Sequence, residues 1–288
     1  MGISISYLSD LISYERFVQI LVVFVLVLGF RLLDCYNDAY NKKKERDEKL
    51  FKQPPPQEED CPLCFLQLPS LWTGYEYQSC CGKVICSGCI HAVGETRTTE
   101  IPVCPFCRTP FPITEVEALE RQNKRVEADD AYAIFNHGIY YREGIRGLPQ
   151  DYAKALELFH RSGELGYVKA YVNIGYTYEF GRGVEVDKKK AKYYNELAAI
   201  GGDSQARYNL GCMEENVGNE DRALKHYLIA ARSGFVKSLE AVKDLYSEGH
   251  ATKEDYTNAL RSYQTYLSEI KSVQRDTAAA TERHGRYY

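Results

Sequence analysis

The most apolar stretch of the chain runs from Phe17 to Phe30, and Gln19 is its one polar residue. With residues 31–33 it covers seventeen positions. As an α-helix that length spans about 25 Å, slightly less than the ~30 Å hydrocarbon core of a bilayer. Apolar side chains surround this helix without an amphipathic stripe, which predicts a single membrane span over residues 17–33. A buried helix of a soluble domain is the alternative.

Basic residues are concentrated on the C-terminal side of this stretch, since the N-terminal side has only Arg16 and the amino terminus. The C-terminal flank carries Arg31, Lys42, Lys43, Lys44, Arg46 and Lys49. The positive-inside rule therefore predicts that everything after the span faces the cytoplasm. The first six residues also match a myristoylation pattern, and Cys35 is a candidate palmitoylation site. Lipid anchoring is a minor alternative to the span, because it requires the N-terminus to lie in the cytoplasm.

Two polar stretches separate the remaining parts of the chain. Residues 34–60 begin with mixed charge and end in Pro54-Pro55-Pro56 and acidic residues, which predicts an extended spacer. Residues 113–130 are charged and carry three apolar side chains at helical spacing, so they predict a connecting helix.

The C-terminal half of the chain repeats itself. Gly138, Gly175 and Gly211 recur at intervals of 37 and 36 residues. Each unit predicts a helix, a loop and a second helix, as in 170–180 followed by 188–200. Glycine within a helix costs about 1 kcal/mol relative to alanine. Its return at one position therefore predicts a close approach of neighbouring helices.

The units resemble Sel-1-like repeats, a short relative of the tetratricopeptide repeat. The segment Asn173–Ala191 reads N-I-G-Y-x-Y-E-x-G-x-G-V-x-x-D-x-x-K-A, while the third unit lacks the G-x-G-V loop and the fourth is degenerate. The resemblance implies an α-helical solenoid over residues 131–276 whose concave surface binds a protein substrate or adaptor. Four tyrosines lie on the first helices of the units, and they either line this concave surface or pack between helices. They are Tyr140, Tyr176, Tyr178 and Tyr208.

The overall charge excludes one class of partner. The formal net charge is −4 and the sequence pI is about 5.9. Because no basic field would attract a polyanion, we expect no nucleic-acid binding.

Eight of the ten cysteines lie between Cys61 and Cys107, as three C-x-x-C pairs and one adjacent pair. This repeated spacing is typical of metal ligands, and zinc binds four thiolates in a tetrahedron. A window this small buries little apolar surface, so the metal would supply much of its folding free energy. A disulfide-linked loop is the alternative, and it would need an oxidising compartment.

The order of the pairs resembles the RING-type zinc finger of ubiquitin ligases. That resemblance implies a cross-brace over residues 61–112 with two Zn²⁺ ions. The first ion would be held by Cys61, Cys64, Cys86 and Cys89. The second would be held by Cys104 and Cys107 with two ligands from residues 80–83.

Lys83 departs from the family pattern, because it stands where the family usually has histidine. A protonated lysine cannot ligate zinc. Cys80 next to Cys81 is the replacement that we favour, and His91 is the other candidate ligand.

The resemblance also implies a surface that recruits a ubiquitin-conjugating enzyme, formed here by Leu63, Val93 and Pro105. Arg108 would contact ubiquitin and hold the thioester in a reactive position. The expected protein is thus a membrane-anchored ubiquitin-protein ligase that uses no covalent catalytic residue. A zinc-stabilised scaffold without activity is the alternative.

The sequence predicts a mostly α-helical chain with one small zinc domain. Its predicted segments are an N-terminal segment (1–16), the span (17–33), a linker (34–60), the zinc finger (61–112), a connecting helix (113–130), the solenoid (131–276) and a flexible tail (277–288).

Overall fold

The computed structural model describes residues 31, 33–52, 59–70, 73–95 and 102–281. The chain divides into two compact units, Met1–Phe51 and Lys52–Tyr288. In the first unit, residues 33–51 form helix α1, whose surface carries the ion pairs Lys42–Asp38 and Lys49–Glu45 at 2.8 Å. The predicted span over residues 17–33 lies outside the described residues except for positions 31 and 33. None of the described helices combines the length and apolar character that crossing a bilayer requires.

The second unit begins with a small cysteine-rich module, residues 59–112. Strand β1 (Tyr75–Gln78) pairs antiparallel with β2 (Lys83–Cys86), and Tyr75 lies opposite Cys86. Helix α2 (Ser87–Glu95) follows β2 directly. Because Ile85 is fully buried among the cysteines, the module has a core of its own, although a small one.

A helical array follows the module. Its helices are α3 (Glu115–Glu127), α4 (Ala131–Glu143), α5 (Tyr152–Glu164), α6 (Lys169–Phe180), α7 (Lys188–Ile200), α8 (Ser204–Glu215), α9 (Glu220–Arg232), α10 (Val236–Ser247), α11 (Lys253–Ile270) and α12 (Val273–Ala280). The connecting helix that we expected within residues 113–130 is α3, and Thr114 caps its N-terminus. Successive pairs from α4 to α11 form four helix–loop–helix units, which agrees with the predicted solenoid.

The recurring glycines lie against side chains of the second helix of their unit. A Cβ atom on Gly138 would lie 2.7 Å from Cε1 of Phe159, and one on Gly211 would lie 2.6 Å from Cδ1 of Tyr227. In the first three units the glycine is on the first helix and its neighbour is on the second. The predicted close approach is confirmed, because no larger residue fits at these positions without displacing a buried side chain of the second helix.

The predicted boundary between the solenoid and the flexible tail, at residues 276 and 277, falls inside a helix. The tail predicted over residues 277–288 therefore starts within ordered structure. Helix α12 continues to Ala280, and Ala278 is fully buried. It is ordered because it packs on α2 of the cysteine module. A Cβ on Gly88 would lie only 2.8 Å from the backbone nitrogen of Arg275. Residues 282–288 lie outside the described part of the chain.

Candidate metal centre

The eight cysteines selected from the sequence come together in two groups of four. One group contains Cys61, Cys64, Cys86 and Cys89, and the other contains Cys80, Cys81, Cys104 and Cys107. Within each group all four sulfur atoms lie within 4.8 Å of one another. The groups interleave along the chain, since the first and third pairs form one group and the second and fourth form the other.

The first and last C-x-x-C pairs form the same tight turn. The amide of Phe65 donates to the carbonyl of Cys61 at 2.9 Å, and the amide of Arg108 donates to that of Cys104 at 2.9 Å. Phe65 and Arg108 have backbone φ values of 57° and 61°, which lie in the left-handed region that residues other than glycine seldom adopt. These turns point two thiols of each pair toward one centre.

The electrostatics of the groups favour a cation at their centres. A hydrogen bond from Cys86 lowers the pKa of Cys61 to about 4, whereas burial raises the pKa of Cys89 to about 12. In the other group, burial raises the pKa of Cys81 to about 11. Four adjacent thiols therefore cannot all ionise by themselves, because their like charges repel. A divalent ion removes this restriction, and a closed set of four thiolates suits structural zinc.

The structure distinguishes between the two candidates for the last ligand. Cys80 lies in the second group, where Sγ of Cys107 is 3.3 Å from its Sγ. In the part of the chain that the structure describes, His91 belongs to neither group, and its Nε2 lies 3.8 Å from the Glu95 carboxylate. Lys83 is exposed at the start of β2.

The residues expected to recruit a conjugating enzyme occupy the turns and helix around these groups. Leu63, Val93 and Pro105 are half-buried, and Leu63 packs against the core of the module. Arg108 is exposed. Sequence analysis missed two exposed aromatic residues in the same turns, Phe65 and Phe106, at 77% and 43% exposure. Phe65 directly follows Cys64 and Phe106 lies between Cys104 and Cys107, and these positions could have indicated that both residues belong to the same surface.

A groove on the helical array is a second candidate site. It has a volume of about 820 Å³ and is lined mainly by α4, α6 and α8. Asn136, Asn173 and Asn209 contribute to it from the same position of three successive units. Sequence analysis missed this series, although each asparagine stands two residues before a recurring glycine and shows the same intervals.

Aromatic residues and Arg182 line one end of the groove. The Arg182 guanidinium lies 5.8 Å from the ring centroid of Tyr176 and donates to the hydroxyls of Tyr152 and Tyr176 at 3.4 Å each. Of the four tyrosines considered from the sequence, Tyr176 lines this groove. Tyr178 stacks on Tyr194, and Tyr140 and Tyr208 are likewise half-buried.

Comparison with known proteins identifies the repeats. The chain matches the family described as Sel1 repeat over residues 131–167, 168–203 and 204–235, so these residues form three Sel1 repeats. A crystal structure of a Sel1 repeat protein from Oxalobacter formigenes is 29% identical and covers 53% of this chain and 64% of that chain, with a TM-score of 0.47. The fourth helical pair, α10 and α11, lies outside the family match.

Curated relatives resemble only part of the chain. The rice protein named E3 ubiquitin-protein ligase GW2 (Oryza sativa subsp. indica) is 32% identical over 100 residues, which are 35% of this chain and 20% of that protein. An Arabidopsis thaliana protein named ERAD-associated E3 ubiquitin-protein ligase component HRD3B is 36% identical over 92 residues, 31% of this chain and 14% of that protein. The chain thus spans a fifth or less of the length of these relatives.

Proposed function

We propose that this protein is a RING-type ubiquitin-protein ligase with two Zn²⁺ ions, and that its Sel1 repeats bind the substrate or an adaptor. The observation that carries the proposal is the interleaved grouping of eight cysteines into two four-thiol centres. Partial similarity to proteins named E3 ubiquitin-protein ligases supports the same class. Zinc, when bound, orders the module and leaves no open coordination position.

The proposed reaction needs no covalent attack by a residue of this chain. Leu63, Val93 and Pro105 contact the ubiquitin-conjugating enzyme, and the exposed Arg108 contacts ubiquitin. A substrate lysine amine then attacks the thioester carbonyl, so that an amide bond forms and the thiol of the conjugating enzyme leaves. The role of the module is to hold the thioester in a reactive position, which lowers the entropic part of the barrier.

The groove on the repeats receives an extended segment of the substrate. Asn136 offers an amide group to a peptide backbone, whereas the amides of Asn173 and Asn209 already donate to the Lys169 carbonyl and to Asn195. Tyr176 and Phe180, whose ring centroids are 4.6 Å apart, offer apolar contact. Arg182 has no carboxylate partner among the described residues and can bind an acidic side chain. In cells, Arg182→Glu should reduce ubiquitination of bound proteins and leave self-ubiquitination unchanged.

The ligase proposal is tested with the purified full chain, ubiquitin and a panel of conjugating enzymes. We expect ubiquitin transfer by the wild type and a loss of about tenfold or more for Leu63→Ala and for Arg108→Ala, since each removes a contact central to the complex. Lys83→Ala is the matched control, because Lys83 is an exposed residue of the same module without an assigned role. A folded, metal-loaded protein that neither transfers ubiquitin nor binds any of these enzymes in NMR titrations would refute the proposal.

That outcome would favour a second function, a zinc-stabilised interaction scaffold without ligase activity. The packing of Leu63 against the module core favours this candidate, because a residue engaged in the core offers less surface to a partner. Val93 is also a smaller anchor than the tryptophan that is common at this position in the family.

We also propose that residues 17–33 anchor the chain in a membrane, with the later domains in the cytoplasm. The support is the apolar run and the basic residues that follow it. Alkaline carbonate extraction of cell membranes and protease protection test this topology. Release of the full chain by carbonate would contradict the anchor, and protection of the repeats from added protease would contradict the orientation.

A further inference from the structure

The C-terminal helix inserts an arginine beside the first four-cysteine group. Arg275 of α12 is fully buried. Its Nη1 donates to the carbonyl of Gln67 at 2.7 Å, and its Nη2 donates to that of Leu66 at 3.2 Å and lies 4.0 Å from Sγ of Cys64. Leu66 and Gln67 belong to the turn that carries Cys61 and Cys64. The guanidinium therefore holds the backbone that positions two of the four thiols.

The burial of this cation requires a compensating negative charge. Within the described ranges, Arg275 forms no ion pair with a carboxylate. Burying an isolated charge is strongly unfavourable. Four thiolates around a divalent cation carry a net charge of −2, and such a centre next to the guanidinium would supply the missing counter-charge.

A second arginine of the helical array has the corresponding position at the other group. Arg125 of α3 donates from Nε to the carbonyl of Ser79 at 3.2 Å and from Nη2 to that of Cys80 at 3.2 Å. This turn carries Cys80 and Cys81. It also contains Gly82, where a Cβ would lie 3.1 Å from Nη1 of Arg125. Helices at the two ends of the array thus each contribute one arginine to one cysteine turn.

We propose that Arg275 and Arg125 are positioning residues for the two metal centres, Arg275 for the Cys61 group and Arg125 for the Cys80 group. The proposal rests on the proposed binding of zinc. Each arginine fixes a ligand-bearing turn through two backbone carbonyls, so its removal weakens metal retention at its own centre. By thermodynamic linkage, metal at the first centre also stabilises the docking of α12 on the module.

The test measures metal protection of each cysteine separately. The full chain, loaded with Zn²⁺, is treated with N-ethylmaleimide in the presence of a chelator, and peptide mass spectrometry gives a modification rate for every cysteine. For Arg275→Gln we expect rates at Cys61, Cys64, Cys86 and Cys89 to rise about tenfold or more, with the other group unchanged. For Arg125→Gln we expect the opposite pattern. Each variant is thus the control for the other.

Two further measurements keep the outcome interpretable. Arg275→Lys retains the charge but not the two-pronged geometry of the guanidinium. It should therefore raise the modification rates less than Arg275→Gln does, and only at the first centre. The lysine variant also replaces the glutamine variant if the latter does not fold. In the wild type, metal removal should accelerate hydrogen exchange in α12 and leave α7 unchanged. Equal acceleration at both centres in each variant, or no acceleration in either, would overturn the proposal. A wild type without bound metal would instead refute the proposed function.

Discussion

At the scale of single residues, two side chains in similar turns should respond oppositely to the same substitution. Phe65 has a φ of 57°, whereas Phe106 is not among the residues with positive φ, and both are exposed. Left-handed backbone costs roughly 1–2 kcal/mol for a residue with a Cβ and little for glycine. We expect Phe65→Gly to raise the free energy of unfolding by up to about 1 kcal/mol and Phe106→Gly to lower it. Urea denaturation of the zinc-loaded protein measures both, and a loss of stability in both variants would contradict the strain argument.

A buried histidine should make the stability of the array depend on pH. Burial, assisted by the positive charges of Arg207 and Arg222, lowers the pKa of His226 from 6.5 to about 3. Below pH 6.5 the unfolded chain gains a proton at this residue that the folded chain does not bind, so stability falls as pH decreases from 6.5 toward 3. Between pH 7 and pH 5 the expected loss is about 2 kcal/mol.

Urea denaturation at the two pH values measures this slope. His226→Gln is the control, because it removes the titrating group while acid-induced loss of metal remains common to both proteins. An identical pH dependence in the variant would exclude His226 as its source.

The sequence identified the eight cysteines of the two groups but not the arginine beside the first group. C-x-x-C pairs are a local pattern whose chemistry leaves few alternatives, so all eight cysteines could be selected in advance. Arg275 lies in a short, polar segment with no such pattern, and charged side chains are usually exposed. Its burial depends on contacts with residues 66 and 67, more than 200 positions earlier in the chain. No local rule contains that information.

At the scale of elements, the repeat helices were predictable almost to the residue. We expected helices over 170–180 and 188–200, and α6 and α7 cover Lys169–Phe180 and Lys188–Ile200. Asp187 explains the accuracy at one boundary, because its side chain accepts hydrogen bonds from the amides of Lys189 and Lys190 and caps α7. Helix α12 was missed because Val273 is its one large apolar residue; in the structure the helix packs on α2.

The close contact between paired helices gives a prediction at this scale. In Gly211→Ala the new methyl group would lie 2.6 Å from Cδ1 of the buried Tyr227 ring. Forcing atoms into a packed core typically costs about 1–3 kcal/mol. We expect a loss of that size in urea denaturation. Gly94→Ala is the control, since Gly94 is in helix α2 with no atom within 4 Å of the added Cβ, and alanine there should stabilise the helix.

At the scale of the whole second unit, the contacts between the module and the array were not predictable. The Lys169 ammonium donates to the Tyr75 hydroxyl at 2.6 Å, and the Tyr77 hydroxyl donates to Asp130 at 2.7 Å. Tyr77 also stacks on Tyr132, with ring centroids 4.6 Å apart. These residues are ordinary members of a strand or a helix in sequence, and only the folded arrangement brings them together. The two domains expected from the sequence therefore form one compact unit.

These contacts lead to a prediction for metal removal. The array has its own core, in which Phe135, Ile174 and Tyr227 are almost completely buried, whereas the module has a small core built largely of cysteines. Chelation at neutral pH in the presence of a reductant should therefore unfold β1, β2 and α2 and leave most of the helical far-ultraviolet circular dichroism. Hydrogen exchange should rise in the module, α3 and α12, and stay slow in α6 to α9. Readdition of Zn²⁺ is the control for reversibility. If the helical signal of the array disappeared together with the metal, the array would depend on the module for its folding, and the independence inferred from its separate core would be wrong.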